Sequence, residues 1–226
     1  MLNWGPIQYL VSKVMLPFLT FSYEHLLPNY GVSIILLTVL IKLAFVPLMS
    51  KQYKSIKAMQ DMQPELQRVR EQYKDEPQQL QQELVKLYKL HKVNPLSGCL
   101  PMLVQIPFFI AIYATIVSPE FKAILLQPGT FPGLFPFWLG NLSIADPTYV
   151  LPVLVSVLTF WTQKQVMTDP TQQKLLWLSP LLILAFGISL PSGVLLYWAV
   201  STLLSGVHQV WMMKQPSASI EIIHPR

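Results

Sequence analysis

Residues 31–50 read GVSIILLTVLIKLAFVPLMS, a run long enough to cross a membrane as a helix and broken by a single charge, Lys42. About 20 apolar residues span the ~30 Å hydrocarbon core of a bilayer. In that solvent the backbone must satisfy its own hydrogen bonds, as a helix does along its length. Further apolar segments follow at 95–117, 148–166, 175–190 and 191–213. Composition agrees: 52% of residues are hydrophobic and 12% charged, where a soluble domain carries about 25% charged. The reading is an all-α integral membrane protein of five transmembrane helices, the first at 30–50 and the others in these segments. Its one cysteine, Cys99, allows no internal disulfide.

The segments between have their own patterns. In 1–29, Ile7, Leu10, Val11, Val14 and Phe18 recur at helical spacing, with Gln8, Ser12 and Lys13 off that stripe. This predicts an external amphipathic helix lying in the membrane interface, with a sixth span as the rival. A signal peptide fits less well: no basic residue precedes the run and no small-x-small site follows it. Residues 51–94 carry nine basic and six acidic side chains, a mixture unlike a nucleic-acid-binding tract. Tyr53, Ile56, Met59, Met62, Leu66, Val69 and Tyr73 step by threes and fours, as do Leu80, Leu84, Leu87 and His91. Asp75-Glu76-Pro77 separates the two series, so a cytoplasmic helical hairpin is expected, its first arm bent or interrupted at Pro64. Residues 118–147 read as an external loop with Trp138 at the interface, 167–174 as a cytoplasmic turn around Asp169-Pro170, and 214–226 as a cytoplasmic tail. With the hairpin in the cytoplasm, thirteen basic residues lie on that side against Lys13 and Lys122 on the other. The positive-inside rule then puts the N-terminus outside and the C-terminus inside.

Lys42 is the residue most suggestive of function. A lysine at the centre of a span costs roughly 2.5–3.5 kcal/mol on insertion scales. It lies eight residues from the hairpin, about 12 Å along a helix; the structural alternative is a lysine that snorkels to the headgroups. No acid lies deep in another span. The polar candidates are Thr38, Gln105, Thr159, Thr162, Gln163, Ser201 and Thr202. A cation so placed implies a hydrated cavity open to the cytoplasm, attractive to an acidic or polar polypeptide segment. Catalysis is not expected. His25, His91, His208 and His224 lack metal-ligand neighbours at the usual spacing. Ser192 and His208 stand 16 residues apart, about 24 Å along one helix. Met59, Met62, Met212 and Met213 read as packing residues. No cofactor or metal site is expected. The rival is a small-molecule transporter or channel with an anion site at Lys42, which would usually show an internal repeat; none is visible.

The stretches TVLIKLAFVPL with SKQYKSIKAMQDMQPELQ, KVNPLSGCLPMLVQIPFFIAIY, TDPTQQK and LPSGVLLYW together resemble the YidC-type membrane protein insertases, relatives of the mitochondrial oxidase-assembly and chloroplast thylakoid insertases. The resemblance covers most of the chain from Tyr30 to about Trp211. It implies five core helices around a hydrophilic groove open to the cytoplasm and to lipid, in a bacterial plasma membrane. It implies a non-enzymatic insertase and chaperone that receives hydrophobic substrates in that groove and releases them laterally into the bilayer, alone or with the Sec translocase. The implied partners are nascent membrane proteins, the Sec translocase, the ribosome, the signal-recognition machinery and membrane lipids, with no direct nucleic-acid contact. Lys42, Thr38, Gln105, Gln163 and Trp198 would line or edge the groove. The family usually has arginine at the position of Lys42; lysine keeps the charge but lacks the planar donor fork. A large extracytoplasmic domain and a long basic tail are not in this sequence, which suggests a minimal form or a trimmed chain and weakens the expectation of tail-mediated ribosome docking.

Overall fold

The structure, a computed structural model, describes residues 5–91, 93–94, 100–131, 133–135, 138–166 and 173–215, with only the backbone for 100–102 and 173–175. Cys99 with the PLSG stretch before it, the turn around Asp169-Pro170 and the tail from 216 lie outside the described residues. The elements are α1 (Gly5–Tyr9), a π-helical turn (Leu10–Met15), α2 (Leu16–His25), α3 (Tyr30–Asp61), α4 (Gln63–Gln72), α5 (Pro77–Leu90), α6 (Leu100–Val117), α7 (Pro119–Leu125), α8 (Val150–Val166), α9 (Gln173–Gly187) and α10 (Ser192–Lys214). No strand occurs among the described residues.

Four of the five stripe residues of the N-terminal helix face the core, Ile7 buried and Leu10, Val11 and Phe18 packed against it; Val14 departs. Ile7, Met15, Leu19 and Ser22 are buried, whereas Val14 is exposed. The reason is the π turn: its i→i+5 bonding widens one turn and shifts the face that follows. The segment packs against α3 and α6.

Helix α3 begins at Asn29, whose side chain accepts from the Val32 N–H at 3.0 Å. This is an ordinary N-cap. The helix then runs unbroken through Pro47 to Asp61, well beyond the apolar run. It ends where a new helix can start: α4 carries Pro64 in its first turn and α5 carries Pro77 in its own, positions at which the missing N–H is harmless. Arms α4 and α5 form an antiparallel hairpin. Met62, Leu66 and Val93 are buried at its base, with Met59, Leu84, Leu87 and Tyr88 against them. Glu65 meets His91 at 2.9 Å, so the start of one arm touches the end of the other.

The opposite end is formed by the segments that join α2 to α3, α6 to α8 and α9 to α10. The expected loop at 118–147 starts with a helix, α7, set at 54° to α6. Ser118 precedes Pro119, which holds it in an extended conformation (ψ 144°) and disfavours continuing the helix. The Ser118 hydroxyl then caps α7 by accepting from Phe121 N at 3.1 Å. Asp146 organises the entry to α8. Its carboxylate accepts from Leu151 N (2.8 Å), Thr148 Oγ1 (2.7 Å), Thr148 N (3.0 Å) and Trp138 Nε1 (3.2 Å). Burial alone would raise this carboxyl; the four hydrogen bonds outweigh it and hold the group below its usual range.

Helix α10 is the hub, packed against α3 on one side and α8 on another, with α6 also in contact and α9 resting on α8. Its sequence permits this. Gly206 lies so close to α8 that a Cβ there would sit 2.2 Å from Trp161 and 2.7 Å from Thr162. By length and composition, α3 and α10 can each cross a membrane, as can α6 and α7 if the bent pair is one span; α9 holds a shorter apolar helix. Much of their apolar surface faces outward, including Leu43, Leu181, Phe186 and Val207.

Two outcomes follow from this packing. Gly206→Ala should separate α8 from α10 at an overpacking cost of about 1–3 kcal/mol, seen as a lower thermal midpoint in detergent; an unchanged midpoint would show that Trp161 simply swings aside. The Asp146 contribution should be complete above about pH 4, its ordinary value, and fade as pH falls through the depressed one. Asp146→Asn should lower the midpoint at neutral pH and flatten this acid dependence, both readable by fluorescence melts across pH.

Candidate functional site

Helix geometry sets Lys42 among polar groups rather than lipid. Tyr197, Ser201 and Ser205 follow one another at four-residue spacing on α10 and so share a face. Lys42 of α3 and Gln105 of α6 meet that face. Lys42 Nζ donates to Gln105 Oε1 at 3.0 Å and to Ser205 Oγ at 2.8 Å. Gln105 Nε2 in turn donates to Tyr197 Oη at 2.6 Å, and Ser201 Oγ donates to Gln105 Oε1 at 3.3 Å. Tyr197 thereby fixes the amide with its oxygen toward the lysine. An ammonium has three donors, and two are used here by neutral oxygens. None of the ion pairs found among the described residues involves Lys42.

This polar layer separates two apolar clusters. On the side away from the hairpin lies the main core, including Ile34, Leu37, Ile112, Val194, Leu195 and Ala199. On the hairpin side lie Met49, Tyr53, Ile56 and Met212. The layer continues toward that smaller cluster: Tyr53 Oη donates to Ser205 O at 3.1 Å, and Ser50 Oγ pairs with His208 Nε2 at 3.1 Å.

Beyond it, α3 holds the ends of its neighbours. Lys57 Nζ donates to Met213 O at 2.9 Å and to Gln215 O, and Gln60 Nε2 donates to Gln165 O at 2.8 Å and Val166 O at 3.2 Å. These are the carbonyls that helix C-termini leave without partners. Gln209 Nε2 adds a direct tie from α10 to Thr162 O of α8 at 3.1 Å.

The residues singled out from the sequence are distributed unequally. Lys42 and Gln105 are bonded partners. Thr38 is fully buried and returns its hydroxyl to Ile34 O at 2.7 Å. Gln163 accepts from Ser179 Oγ at 2.7 Å, tying α8 to α9. Trp198 is half-buried and meets Phe109 edge-on, centroids 5.1 Å apart. Sequence reasoning missed Ser205 and Tyr197; the 197/201/205 spacing was the available signal. Ser192 donates to Asn141 O at 3.0 Å while His208 pairs with Ser50, so no Ser192–His208 pair forms. Met62 and Met212 are buried packing residues. No group of three metal-ligating side chains is found among the described residues.

The fold and site define an all-helical membrane protein with a lysine-centred polar layer between apolar cores. The family model described as 60Kd inner membrane protein matches residues 21–219, and the chain belongs to that family. The membrane protein insertase YidC of Lawsonia intracellularis is 40% identical over 212 residues, covering 91% of this chain and 39% of that protein. That of Haemophilus influenzae is 40% identical over 204 residues, covering 89% and 36%. A solved structure described as an active YidC insertase with the first transmembrane domain resolved matches with a TM-score of 0.69 at 28% identity, covering 88% of this chain and 45% of that one. The chain thus spans about two fifths of the length of the curated relatives it matches. These relatives and the apolar helices together indicate a bacterial membrane protein.

Removing one partner from the layer should hurt more than removing both. Gln105→Leu strands part of the Lys42 ammonium and the Tyr197 hydroxyl, for a loss of about 1–3 kcal/mol. Adding Lys42→Met to that variant should recover most of the loss, because a buried charge without partners is the costly element. Thermal midpoints of the two single variants and the double variant check this; strict additivity would count against it.

Proposed function

We propose that the chain is a membrane protein insertase and chaperone of the bacterial plasma membrane, acting alone or with the Sec translocase. The observation that carries this reading is Lys42: a half-buried cation held by neutral oxygens, with one donor to spare, in a chain of this family. In this reading five spans, 30–50, 95–117, 148–166, 175–190 and 191–213, surround a hydrophilic groove open to the cytoplasm and to lipid. The hairpin at 51–94, the turn at 167–174 and the tail at 214–226 lie in the cytoplasm, and the helix at 1–29 rests on the outer interface. The excess of basic residues on the hairpin side supports this orientation.

The substrate's short polar segment enters from the cytoplasmic side. Lys42 and Gln105 offset its desolvation, Gln163 and Trp198 edge the path, and Thr38 packs behind it. The apolar helix that follows leaves into lipid along α8 and α10, driven by burial at roughly 25 cal/mol per Å² of apolar surface. No bond is made or broken, so the work is that of a binding surface rather than an enzyme. Nascent membrane proteins are the cargo; the Sec translocase, the ribosome and the signal-recognition machinery are the partners that would deliver it, and membrane lipids receive it.

Purified protein in proteoliposomes tests this with single-span substrates whose translocated segment carries an acidic residue. Lys42→Ala should reduce their insertion about tenfold, the scale of one hydrogen bond to a charged group, while Lys42→Arg retains most of it. A Lys42→Ala protein that inserts every such substrate as the parent does would remove the basis of the proposal.

A further inference from the structure

Resting on that reading, the way to the polar layer from the hairpin side runs through a junction that is weaker than its residues could make it. There the small cluster of Met49, Tyr53, Ile56 and Met212 joins α3 to α10, with Val166 of α8 and Met213 of α10 packed against it. The same two residues are held through their backbones: Gln60 Nε2 donates to Val166 O at 3.2 Å and Lys57 Nζ to Met213 O at 2.9 Å. One stretch of α3 thus carries both the apolar contact and the ties to the ends of α8 and α10.

Gln52 stands in that stretch and does neither. It is three residues after Met49 and four before Ile56, so it shares their helix face. Its side chain is 4% exposed, yet among the described residues neither its Oε1 nor its Nε2 has a hydrogen-bond partner. Buried side-chain polar atoms are paired in the large majority of cases. An orphaned donor or acceptor carries its full desolvation cost, whereas a bond that water can replace contributes little net. The carbonyls held by Lys57 and Gln60 are helix-terminal ones that water can serve. Parting the junction therefore loses little at the ties, and it hydrates two amide atoms that the closed form leaves bare. What keeps the junction shut is chiefly the burial of the cluster.

We propose that Gln52 is a positioning residue of insertion: its unpaired amide holds the junction of α3, α8 and α10 close to parting, so that an incoming segment readily opens it toward Lys42. Gln52 touches no substrate in this role. It acts through the balance between the closed junction and an open one in which its amide is hydrated. Lys57 and Gln60 act in the opposite sense and keep the closed form populated at rest.

Gln52→Met keeps the length of the side chain, removes both polar atoms and tests this in the full chain. Hydrogen exchange in the last turns of α8 and α10, read without substrate, reports opening of the junction. It should slow by about fivefold or more, the effect of one orphaned polar group, and the thermal midpoint in detergent should rise. Insertion into proteoliposomes should fall by a similar factor. A residue that merely supports the fold would move midpoint and insertion down together. Lys57→Met should lower the midpoint and speed the exchange, and added to Gln52→Met it should return insertion toward the parental rate. If the midpoint of Gln52→Met does not rise, the amide is not a destabilising element and the proposal fails. If insertion falls while exchange is unchanged, Gln52 touches the substrate and the proposal fails as well. If exchange slows but insertion stays parental while Lys42→Ala is defective, the junction is off the path and this proposal falls alone. A Lys42→Ala protein that inserts like the parent removes the insertase reading, and exchange and midpoint then still decide whether Gln52 loosens the junction. Should Gln52→Met not fold, Gln52→Leu removes the same two atoms.

Discussion

The arrangement of this bundle depends on a single ammonium that must be kept solvated inside a helical, apolar assembly. A bare cation in such a place is untenable, and its pairing with a carboxylate would neutralise the only charge available there. The chain takes a third course: Lys42 is held by an amide and a hydroxyl from two different helices. This requires α3, α6 and α10 to converge at one level, which fixes where Gln105, Ser201 and Ser205 must stand. The bundle is consequently layered, with a large apolar core away from the hairpin, a polar layer, and a smaller apolar cluster of Met49, Tyr53, Ile56 and Met212 beyond it.

The two ends of the bundle are secured by different chemistry. Away from the hairpin the ties are short and largely backbone in kind. Ser192 N donates to Ile144 O, Gly193 N donates to Leu142 O, and the Asp146 carboxylate gathers four donors. At the hairpin end the ties are made by the flexible side chains of Lys57, Gln60 and Gln209, each reaching a terminal or near-terminal carbonyl of a neighbouring helix. Long side chains can release and re-form such bonds at small enthalpic cost, because the carbonyls they serve can be hydrated instead. The end away from the hairpin is tied mainly through backbone groups and the hairpin end through long side chains, an asymmetry in the direction that the proposed orientation requires.

Much of this was legible in the sequence, and the failures have physical causes. The apolar runs, the interruption at Pro64, the helix start at Pro77 and the isolation of Lys42 follow from hydrogen bonding and proline chemistry, both local. The partner of Lys42 was half legible: Gln105 stood out as a polar residue in an apolar run, but Ser205 and Tyr197 are ordinary residues whose meaning comes only from the spacing they share with Ser201. In the N-terminal stripe only Val14 falls off the packed face, because one π turn, which no composition announces, brings Met15 to the core in its place. The helix at Pro119–Leu125 was taken for loop because seven residues give too short a pattern for periodicity to register.

The identity of the cation also matters. The resemblance led to an expectation of arginine where this chain has Lys42. A guanidinium spreads its donors over a plane and prefers two parallel acceptors, whereas here the two acceptors, Gln105 Oε1 and Ser205 Oγ, close on one nitrogen within 3.0 Å. That convergence suits an ammonium, whose three donors radiate from a point. An arginine would reach further and would have to break one of these contacts or move α10 relative to α6. The oxygens around Lys42 are thus matched to lysine in particular. The lysine is accommodated by its surroundings: the charge is present and the two oxygens converge on its one nitrogen.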